Sequence, residues 1–254
     1  MKLHILGCAG GIGGRERLTT CLRVDEDVLL DVGTGIADLD IDALVRIDHV
    51  FLTHSHLDHV AGLAFLVDAV QGKRQGAITV HATPKVIDIL KKHVFNWAIW
   101  PDFAAIPDHE NPVLRWQPIA HGAAVALGER LITAWPVNHT VGSSAYWVRG
   151  SRDGFLFTGD MCTTPALWPH LANEKLLSKV IVDCSFTNVD RELADKSMHF
   201  CPQTLIEEIK VLPVGVDILI YHLKPGQEES IMQELQSDGA RRYVAVRRGE
   251  TFEF

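Results

Sequence analysis

The sequence predicts an α+β domain of four layers, in which two mixed β-sheets pack face to face and helices cover both outer faces. Short apolar strands, separated by glycine and aspartate turns, dominate the first third of the chain. Segments with apolar residues at three- and four-residue intervals follow them and predict amphipathic helices. Because the same order of meandering strands and inserted helices recurs in the second half, we expect an αββα sandwich.

The first half of the chain is predicted to begin with four short strands, each an apolar run bounded by turn residues: 3–6, 21–24, 28–32 and 49–52. A helix is expected from Leu57, and a strand is expected over Ala77–His81. A second helix is expected over Pro84–His93, where proline suits the first turn. Asn96–Pro112 is the longest irregular segment.

The second half is predicted to hold four more strands in succession: 113–116, 131–137, 145–148 and 155–158. Strands and helices then alternate as strand 180–183, helix 202–211, strand 216–221, helix 228–235 and strand 243–246. No short repeat, low-complexity tract or linker interrupts this order. We therefore expect one domain over residues 1–254, with the insert 96–112 as a candidate substrate or dimer loop.

The composition argues against several classes of protein for this chain. The chain has 254 residues and a net charge of −8, which is unlike a protein that wraps nucleic acid. Its five cysteines form no C-x-x-C pair, so we expect reduced thiols and a cytoplasmic protein. The first residues do not resemble a secretory signal, and no apolar run reaches the roughly 18 residues of a membrane span. Thirteen histidines is the unusual count.

The glycine-rich segment Gly7–Gly14 follows a predicted strand and invites a dinucleotide-binding interpretation. That motif requires G-x-G-x-x-G at the start of a helix. Here Glu16 stands where the third glycine should be, and the following segment turns into a strand. The segment is therefore predicted to be a turn between strands.

Three histidines and an aspartate are crowded between the fourth strand and the first helix, in the segment His54-Ser-His-Leu-Asp-His59. A sharp strand-to-helix turn can aim all four side chains at one small volume. Neutral imidazoles suit Zn²⁺, Fe²⁺ and related ions, and a carboxylate completes a mixed shell. A solvated cluster is the alternative, but four ligand-type residues in six favour a metal site.

Three further ligand-type residues each follow a predicted strand. His139 follows strand 131–137, Asp160 follows strand 155–158, and His222 follows strand 216–221. Polar residues commonly end strands, so each alone is weak evidence. Together with the histidine cluster they are candidates for a site that holds two metal ions.

In this order, the HSHLDH motif, His139, the Thr158-Gly-Asp160 turn and His222 resemble the metallo-β-lactamase superfamily of dinuclear hydrolases. The resemblance implies the metallo-β-lactamase fold, with the metals at one edge of the sandwich. It implies that His54, His56 and His139 hold the first metal. It also implies that Asp58, His59 and His222 hold the second and that Asp160 bridges both. Zinc is the expected metal, with manganese or iron as alternatives.

Within the superfamily, three segments resemble class II 3′,5′-cyclic-nucleotide phosphodiesterases. These are Lys92–Phe103, which contains the run Phe95-Asn-Trp-Ala-Ile-Trp-Pro101, then Asp183-Cys-Ser-Phe-Thr-Asn188, and Tyr221-His-Leu-Lys-Pro225. The family's Gly-His-Leu-Thr-Pro loop reads Met198-His-Phe-Cys-Pro202 here, so His199 and Pro202 are kept while glycine and threonine are replaced. The resemblance implies a cyclic nucleotide, cAMP or cGMP, as the small-molecule substrate. It does not choose between the two.

The mechanism that this resemblance suggests opens the ring by in-line attack on phosphorus by a hydroxide that bridges the two metals, giving a 5′-monophosphate. Asp58 and His199 are the catalytic candidates, and His199 would protonate the leaving 3′ oxygen. A loop histidine that only binds backbone is the alternative for His199. Asp31, at the end of another strand, would orient a ligating imidazole, or would only cap a turn.

Five residues are candidates for contact with the substrate: Asn96, Trp97, Trp100, Asp102 and Lys224. The aromatic ones, together with Phe95 and Phe103, would stack on a purine. Packing of the loop on the core and a homodimer contact are the alternatives for these aromatics, and a solvated surface lysine is the alternative for Lys224.

The runner-up function is a tRNA 3′-end endonuclease, which also carries a loop histidine. That family normally has an RNA-gripping arm and a basic surface, and neither is evident here, so nucleic acid is not the expected partner. A third possibility is a metal-containing nucleotide-binding regulator without turnover.

Overall fold

Two seven-stranded mixed sheets form the centre of the computed structural model, which describes residues 1–254. The first sheet contains β1 (Lys2–Gly7), β2 (Cys21–Val24), β3 (Val28–Leu30), β4 (His49–Phe51), β5 (Ile78–Ala82), β6 (Leu114–Pro118) and β14 (Thr251–Glu253). The second contains β7 (Ala124–Leu127), β8 (Arg130–Val137), β9 (Ser143–Arg149), β10 (Gly154–Phe157), β11 (Leu177–Asp183), β12 (Asp217–Tyr221) and β13 (Tyr243–Ala245).

Six α-helices cover the outer faces of the two sheets. They are α1 (Ile41–Val45), α2 (Leu57–Val70), α3 (Pro84–His93), α4 (Arg191–Ser197), α5 (Pro202–Glu208) and α6 (Glu228–Gln236). The bounds predicted for α3 are confirmed, and its local chemistry explains them. The Thr83 side chain accepts a hydrogen bond from the Val86 N–H, proline occupies the first turn, and basic residues occupy the last turn.

The strand orders are β14-β1-β2-β3-β4-β5-β6 and β13-β12-β11-β10-β9-β8-β7. In each sheet an antiparallel meander leads into parallel strands, which begin at β3 in the first sheet and at β10 in the second. The repeated arrangement inferred from the sequence is therefore confirmed, and with it the α+β sandwich.

Three apolar cores separate the four layers. Side chains such as Phe51, Tyr146 and Phe157 fill the space between the sheets. A second core packs α2 and α3 on the first sheet, and a third packs α5 and α6 on the second sheet. Since each sheet is buried on both faces, its central strands read as continuous apolar runs in the sequence.

Several elements were not predicted. The strands β7 and β14 are short and lie at opposite edges of the fold, where alternation over three or four residues is a weak signal. The helices α1 and α4 span only five and seven residues. The predicted helix 202–211 is α-helical to Glu208 and continues as a 3₁₀ turn over Ile209–Val211.

The glycine-rich segment connects β1 to its antiparallel neighbour β2, with no helix between them. The predicted turn between strands is therefore confirmed. Close packing explains one glycine, because a Cβ on Gly10 would lie 2.3 Å from the carbonyl oxygen of His222.

The insert 96–112 lies at the amino ends of the parallel strands of the first sheet. The chain leaves the carboxyl end of β5, returns along α3 and enters β6 beside the start of β5. The N–H of Ile78, the first residue of β5, donates to the carbonyl of Val113 at 2.8 Å. None of the six helices is long and apolar enough to cross a membrane.

Candidate metal centre

The turn between β4 and α2 carries four of the predicted ligands. Thr53 is anchored at its start, since its N–H and its hydroxyl both donate to the Asp31 carboxylate at 2.8 Å. His54 is fully buried, and His56 is the N-cap residue of α2. Asp58 and His59 follow in the first turn of that helix. The strand end and the helix start therefore present all four side chains on the same edge of the sandwich.

The other three predicted ligands reach this edge from the second sheet. His139 follows β8, Asp160 follows β10, and His222 follows β12. The turn before Asp160 requires Gly159, which has a positive φ of 60° and packs so closely on Thr53 that a Cβ would lie 2.8 Å from it. Ligand-type residues from four separate connections therefore meet at one place.

Two sets of ligand atoms result, and within each set all atoms lie within 4.8 Å of one another. The first set is His54, His56, His139 and Asp160, and the second is Asp58, His59, Asp160 and His222. This division is the one that the family resemblance implied. Asp160 belongs to both sets, because its Oδ2 lies 3.3 Å from His59 Nε2 and 3.2 Å from His222 Nε2.

Hydrogen bonds behind the imidazoles fix which ring nitrogen faces the centre. Nδ1 of His54 lies 2.9 Å from the Thr53 hydroxyl, and Nδ1 of His59 lies 2.7 Å from Asp31. His139 Nδ1 donates to the Met198 carbonyl at 3.0 Å. In each of these three rings Nε2 is left to face the cluster and is available to a metal ion.

Two of these inward nitrogens, Nε2 of His54 and Nε2 of His59, are buried and make no well-aligned hydrogen bond, although Oδ2 of Asp160 lies 3.3 Å from the second. An unpaired buried polar atom is costly unless something else satisfies it. A divalent cation would satisfy both atoms, and mixed nitrogen and carboxylate donors suit zinc, manganese or iron. The donor set therefore fits a divalent metal ion.

The electrostatics of the cluster point the same way. Burial holds the pKa of His54 well below its usual range and also lowers those of His56 and His139, so these rings are neutral donors. Burial opposes protonation of His59, but Asp160 and Asp31 outweigh it and raise its pKa well above the usual range. The raised pKa means that His59 and its carboxylate partners hold a proton between them. A cation that binds to these groups displaces such protons.

The predicted loop histidine, His199, lies beside the second set of ligands. Its ring stacks on that of His222 at a centroid distance of 5.1 Å and lies 5.0 Å from the ring of His139. Nδ1 of His199 lies 2.6 Å from the Asp183 carboxylate. Burial opposes protonation, but Asp183 outweighs it and raises the His199 pKa.

Three supporting residues were missed by the sequence reasoning. Asp183 ends β11, and the Ser185 hydroxyl donates to it at 2.6 Å while lying 2.9 Å from His222 Nδ1. The Tyr221 hydroxyl donates to Oδ1 of Asp160 at 3.0 Å. The position of Asp183 at the end of a parallel strand is the signal that could have identified it.

Of the predicted substrate contacts, the structure places Lys224 near the cluster and the other four away from it. The ammonium group of Lys224 donates to the Gly10 carbonyl at 2.8 Å and lies 5.9 Å from the centre of the Phe186 ring. That ring lies 5.9 Å from the ring of His199. Lys224 therefore borders the side of the cluster on which His199 lies.

Asn96, Trp97, Trp100 and Asp102 belong to the insert, so they lie at the opposite end of the first sheet from the cluster of their own chain. The expectation that they join this cluster within one chain is therefore corrected. The carboxamide oxygen of Asn96 accepts from the N–H groups of Ala98 and Ile99. The aromatic residues predicted to stack on a purine do not share one surface. Trp97 is exposed, while Phe95 and Phe103 are buried in the core.

The volume of the surface hollows does not locate the site. A hollow of about 890 Å³ lies along β13 and α6 and contains none of the predicted ligands. The cluster is instead identified by converging donors, unpaired buried nitrogens and strongly shifted pKa values.

Comparisons with known proteins agree with this geometry. The family described as the beta-lactamase superfamily domain matches residues 28–244. A probable 3′,5′-cyclic-nucleotide phosphodiesterase of Yersinia pestis is 26% identical over 244 residues, covering 82% of this chain and 68% of that protein. A ribonuclease Z of a Bradyrhizobium species is 30% identical over 146 residues, covering 54% of this chain and 46% of that protein.

Among solved structures, that of unliganded yeast PDE1 superposes with a TM-score of 0.83 at 20% identity, covering 100% of this chain and 99% of that one. The family match and this superposition confirm the expected fold, and the similarity to the Yersinia pestis protein confirms the expected resemblance to cyclic-nucleotide phosphodiesterases. Since the matched region runs from β3 to β13 and includes all seven clustered residues, the chain belongs to the beta-lactamase superfamily.

Proposed function

We propose that this protein is a dinuclear metal-dependent phosphodiesterase that hydrolyses 3′,5′-cyclic nucleotides to 5′-monophosphates. The observation that carries the proposal is the pair of four-donor sets joined by Asp160. The name of the Yersinia pestis relative supports the substrate class. The five free cysteines agree with a cytoplasmic location, which is part of the proposal.

Seven residues would hold two divalent ions, with zinc as the first choice and manganese or iron as alternatives: His54, His56, Asp58, His59, His139, Asp160 and His222. When bound, such ions supply a nucleophile at neutral pH and neutralise charge on a phosphoryl group. The Tyr221 hydroxyl donates to Oδ1 of Asp160, which leaves Oδ2 free at the position that the two donor sets share. Asp31 and Ser185 fix the rings of His59 and His222.

The chain's own acid–base groups complete the chemistry. Asp183 favours the protonated form of His199, and we assign His199 the transfer of a proton to the leaving 3′ oxygen. The Asp58 side chain is 31% exposed, so its carboxylate is within reach of solvent, and we assign it the orientation of the attacking water. Lys224 has two further N–H groups beyond its bond to Gly10, and we assign them to the substrate phosphate.

The proposal is tested by turnover of 3′,5′-cAMP and 3′,5′-cGMP with protein reconstituted separately with Zn²⁺ and Mn²⁺. We expect chelator-sensitive formation of the 5′-monophosphate, identified chromatographically. Binding of cyclic nucleotide without turnover, with two ions bound per chain, would favour a regulator instead. Formation of the 3′-monophosphate would contradict the assigned direction of ring opening.

A tRNA 3′-end endonuclease is the second candidate, and the match to a ribonuclease Z favours it. A net charge of −8 opposes it, because neutralisation of RNA phosphates by basic residues supplies much of such binding. Cleavage of precursor tRNA by the same reconstituted protein, in the absence of cyclic-nucleotide turnover, would establish this second function.

A further inference from the structure

One imidazole of the metal cluster faces it with the opposite ring nitrogen from the others. Nδ1 of His56 lies 3.3 Å from Nε2 of His139, among the inward nitrogens of the first set. Nε2 of His56, the other ring nitrogen, lies 3.2 Å from the hydroxyl of Thr140. The remaining four rings are held from behind at Nδ1 and face the cluster with Nε2: His54, His59, His139 and His222.

The orientation of the His56 ring decides how many nitrogens the first set contains. A half-turn about the bond between Cβ and the ring exchanges Nδ1 with a ring carbon. In that orientation His56 would present a C–H group to the first set, which would keep only His54, His139 and Asp160 as donors. A C–H group has no lone pair to give to a cation. A fixed ring is therefore a condition for a complete first set.

Packing alone does not fix this ring. His56 is half-buried, whereas the other four rings of the cluster are buried. Its ring neighbours His54 and His139 approach edge-on, at centroid distances of 4.6 and 5.0 Å, which a half-turn of the His56 ring leaves nearly unchanged. The terminal torsion of a histidine is broad and roughly two-fold. A directional hydrogen bond is therefore what distinguishes the two orientations of His56.

Thr140 is placed to supply that hydrogen bond. It directly follows His139 in the turn between β8 and β9, so its position is tied to that of a ligand of the same set. Its side chain branches at Cβ, which restricts its χ1 angle. The hydroxyl oxygen can accept from an N–H at Nε2 of His56. With its proton on Nε2, the ring keeps the lone pair of Nδ1 for an ion.

We propose that Thr140 is a positioning residue for the first metal, and that its hydroxyl holds His56 with Nδ1 toward the ion. Thr140 acts through the imidazole and needs no contact with the substrate. The bond also joins the two sheets at the first set, since His56 follows β4 and Thr140 follows β8. This role requires the metal centre of the proposed function, but it is independent of which phosphodiester is hydrolysed.

Binding of Zn²⁺ tests the role of Thr140. Thr140→Val keeps the branched shape and removes the hydroxyl. We expect the affinity for one of the two ions to fall about 10-fold, as when other partners of ligating histidines are lost, and the affinity for the other ion to change much less. His56→Ala should weaken the same ion, and Thr140→Ser, which keeps the hydroxyl, should bind both ions as the wild type does.

Stepwise competition with a chromophoric chelator measures both affinities. Unchanged affinities in Thr140→Val, or an equal loss for both ions, would overturn the proposal. A Thr140→Ser protein that binds Zn²⁺ as weakly as Thr140→Val would overturn it as well, because the hydroxyl would then not be the group that matters.

Thr251→Val is the matched control. Thr251 is exposed, and its hydroxyl lies 3.0 Å from Nδ1 of His4 on the neighbouring strand β1. Neither residue belongs to the cluster, so both Zn²⁺ affinities should equal those of the wild type. A loss as large as that of Thr140→Val would show a general effect of removing an exposed hydroxyl and would contradict the proposal. Circular dichroism checks that every variant folds.

Nitrogen-15 NMR of protein labelled in its histidines measures the ring orientation. In the Zn²⁺-loaded wild type we expect His56 to carry its proton on Nε2, whereas the other four rings of the cluster carry it on Nδ1. The signals of His56 are those that His56→Ala lacks, and a proton on its Nδ1 would overturn the proposal. If the orientation and the affinities are as expected but cyclic nucleotides are not hydrolysed, the proposed function fails and the role of Thr140 stands.

Discussion

Nδ1 of His199 lies 2.6 Å from Oδ2 of Asp183, and both side chains are buried. The contact fixes the ring so that Nε2 is its free nitrogen, and it favours the protonated form of the imidazole. A group held in this way is suited to give a proton to a leaving oxygen.

His199→Ala should therefore reduce kcat by about 100-fold or more, the usual contribution of a general acid, and should leave the metal content unchanged. Steady-state kinetics and metal analysis of the same preparation check this. His93→Ala removes an exposed histidine at the far end of α3 and should behave as wild type. An unaltered kcat in His199→Ala would remove this residue from the mechanism.

Asp160 serves both sets of donors, so its loss should affect both ions. Asp160→Ala is expected to bind less than one ion per chain, whereas Asp58→Ala should lose affinity at one site and retain the other. Metal analysis after dialysis against a weak chelator measures the stoichiometry. Two tightly held ions in Asp160→Ala would contradict the shared position.

Asp31 acts on the metal through His59. Asp31→Asn preserves the shape of the side chain but removes the charge that favours the correct ring orientation. We expect metal affinity to fall about 10- to 100-fold, as for other residues behind a ligating histidine. Competition with a chromophoric chelator measures this affinity. An affinity equal to that of the wild type would show that Asp31 only caps the turn at Thr53.

A test of stability that is independent of the metals lies at the contact between Arg130 on β8 and Asp27 in the turn before β3. Nη1 and Nη2 of the guanidinium donate to the two carboxylate oxygens at 2.6 and 2.7 Å. The hydrogen bonds from Arg130 lower the Asp27 pKa in the folded state. Asp27→Asn should cost about 1 kcal/mol of unfolding free energy at neutral pH, since the pair is partly exposed.

The pH dependence of this loss follows from the direction of the shift. Because the carboxylate pKa is lower in the folded state, the pair contributes its full stabilisation above the unfolded pKa of about 3.9. This stabilisation is lost as the pH falls through the folded pKa. The difference between wild type and Asp27→Asn should be equal at pH 7 and pH 5 and should shrink below pH 4 in denaturant titrations. Asp217→Asn, which breaks a more exposed pair with Lys179, is the control and should cost little at any pH.

The candidate ligands could be predicted from the sequence because each follows a strand. An apolar run that is followed by histidine or aspartate can be recognised in the sequence alone, as at His139 and His222. Asp183 and Ser185 became meaningful only once β11 was paired with β12, since the register sets Asp183 beside Tyr221. That pairing joins residues almost 40 positions apart, which no local pattern reveals.

The insert shows the opposite error. Its resemblance to a family segment did not indicate where the insert lies in the fold. A segment that follows a crossover helix and precedes a parallel strand lies at the amino ends of the strands, whereas the candidate ligands lie at the carboxyl ends. The order of strand, helix and insert already contained this information.

Each set of donors draws two side chains from connections of the first sheet and two from connections of the second. Neither half of the chain can therefore assemble a complete coordination sphere alone. Ions that bind such a centre join the halves across their common edge, so their binding energy resists separation of the halves. We therefore expect removal of the ions to destabilise the packing between the two sheets first. The stability of each sheet by itself should fall much less.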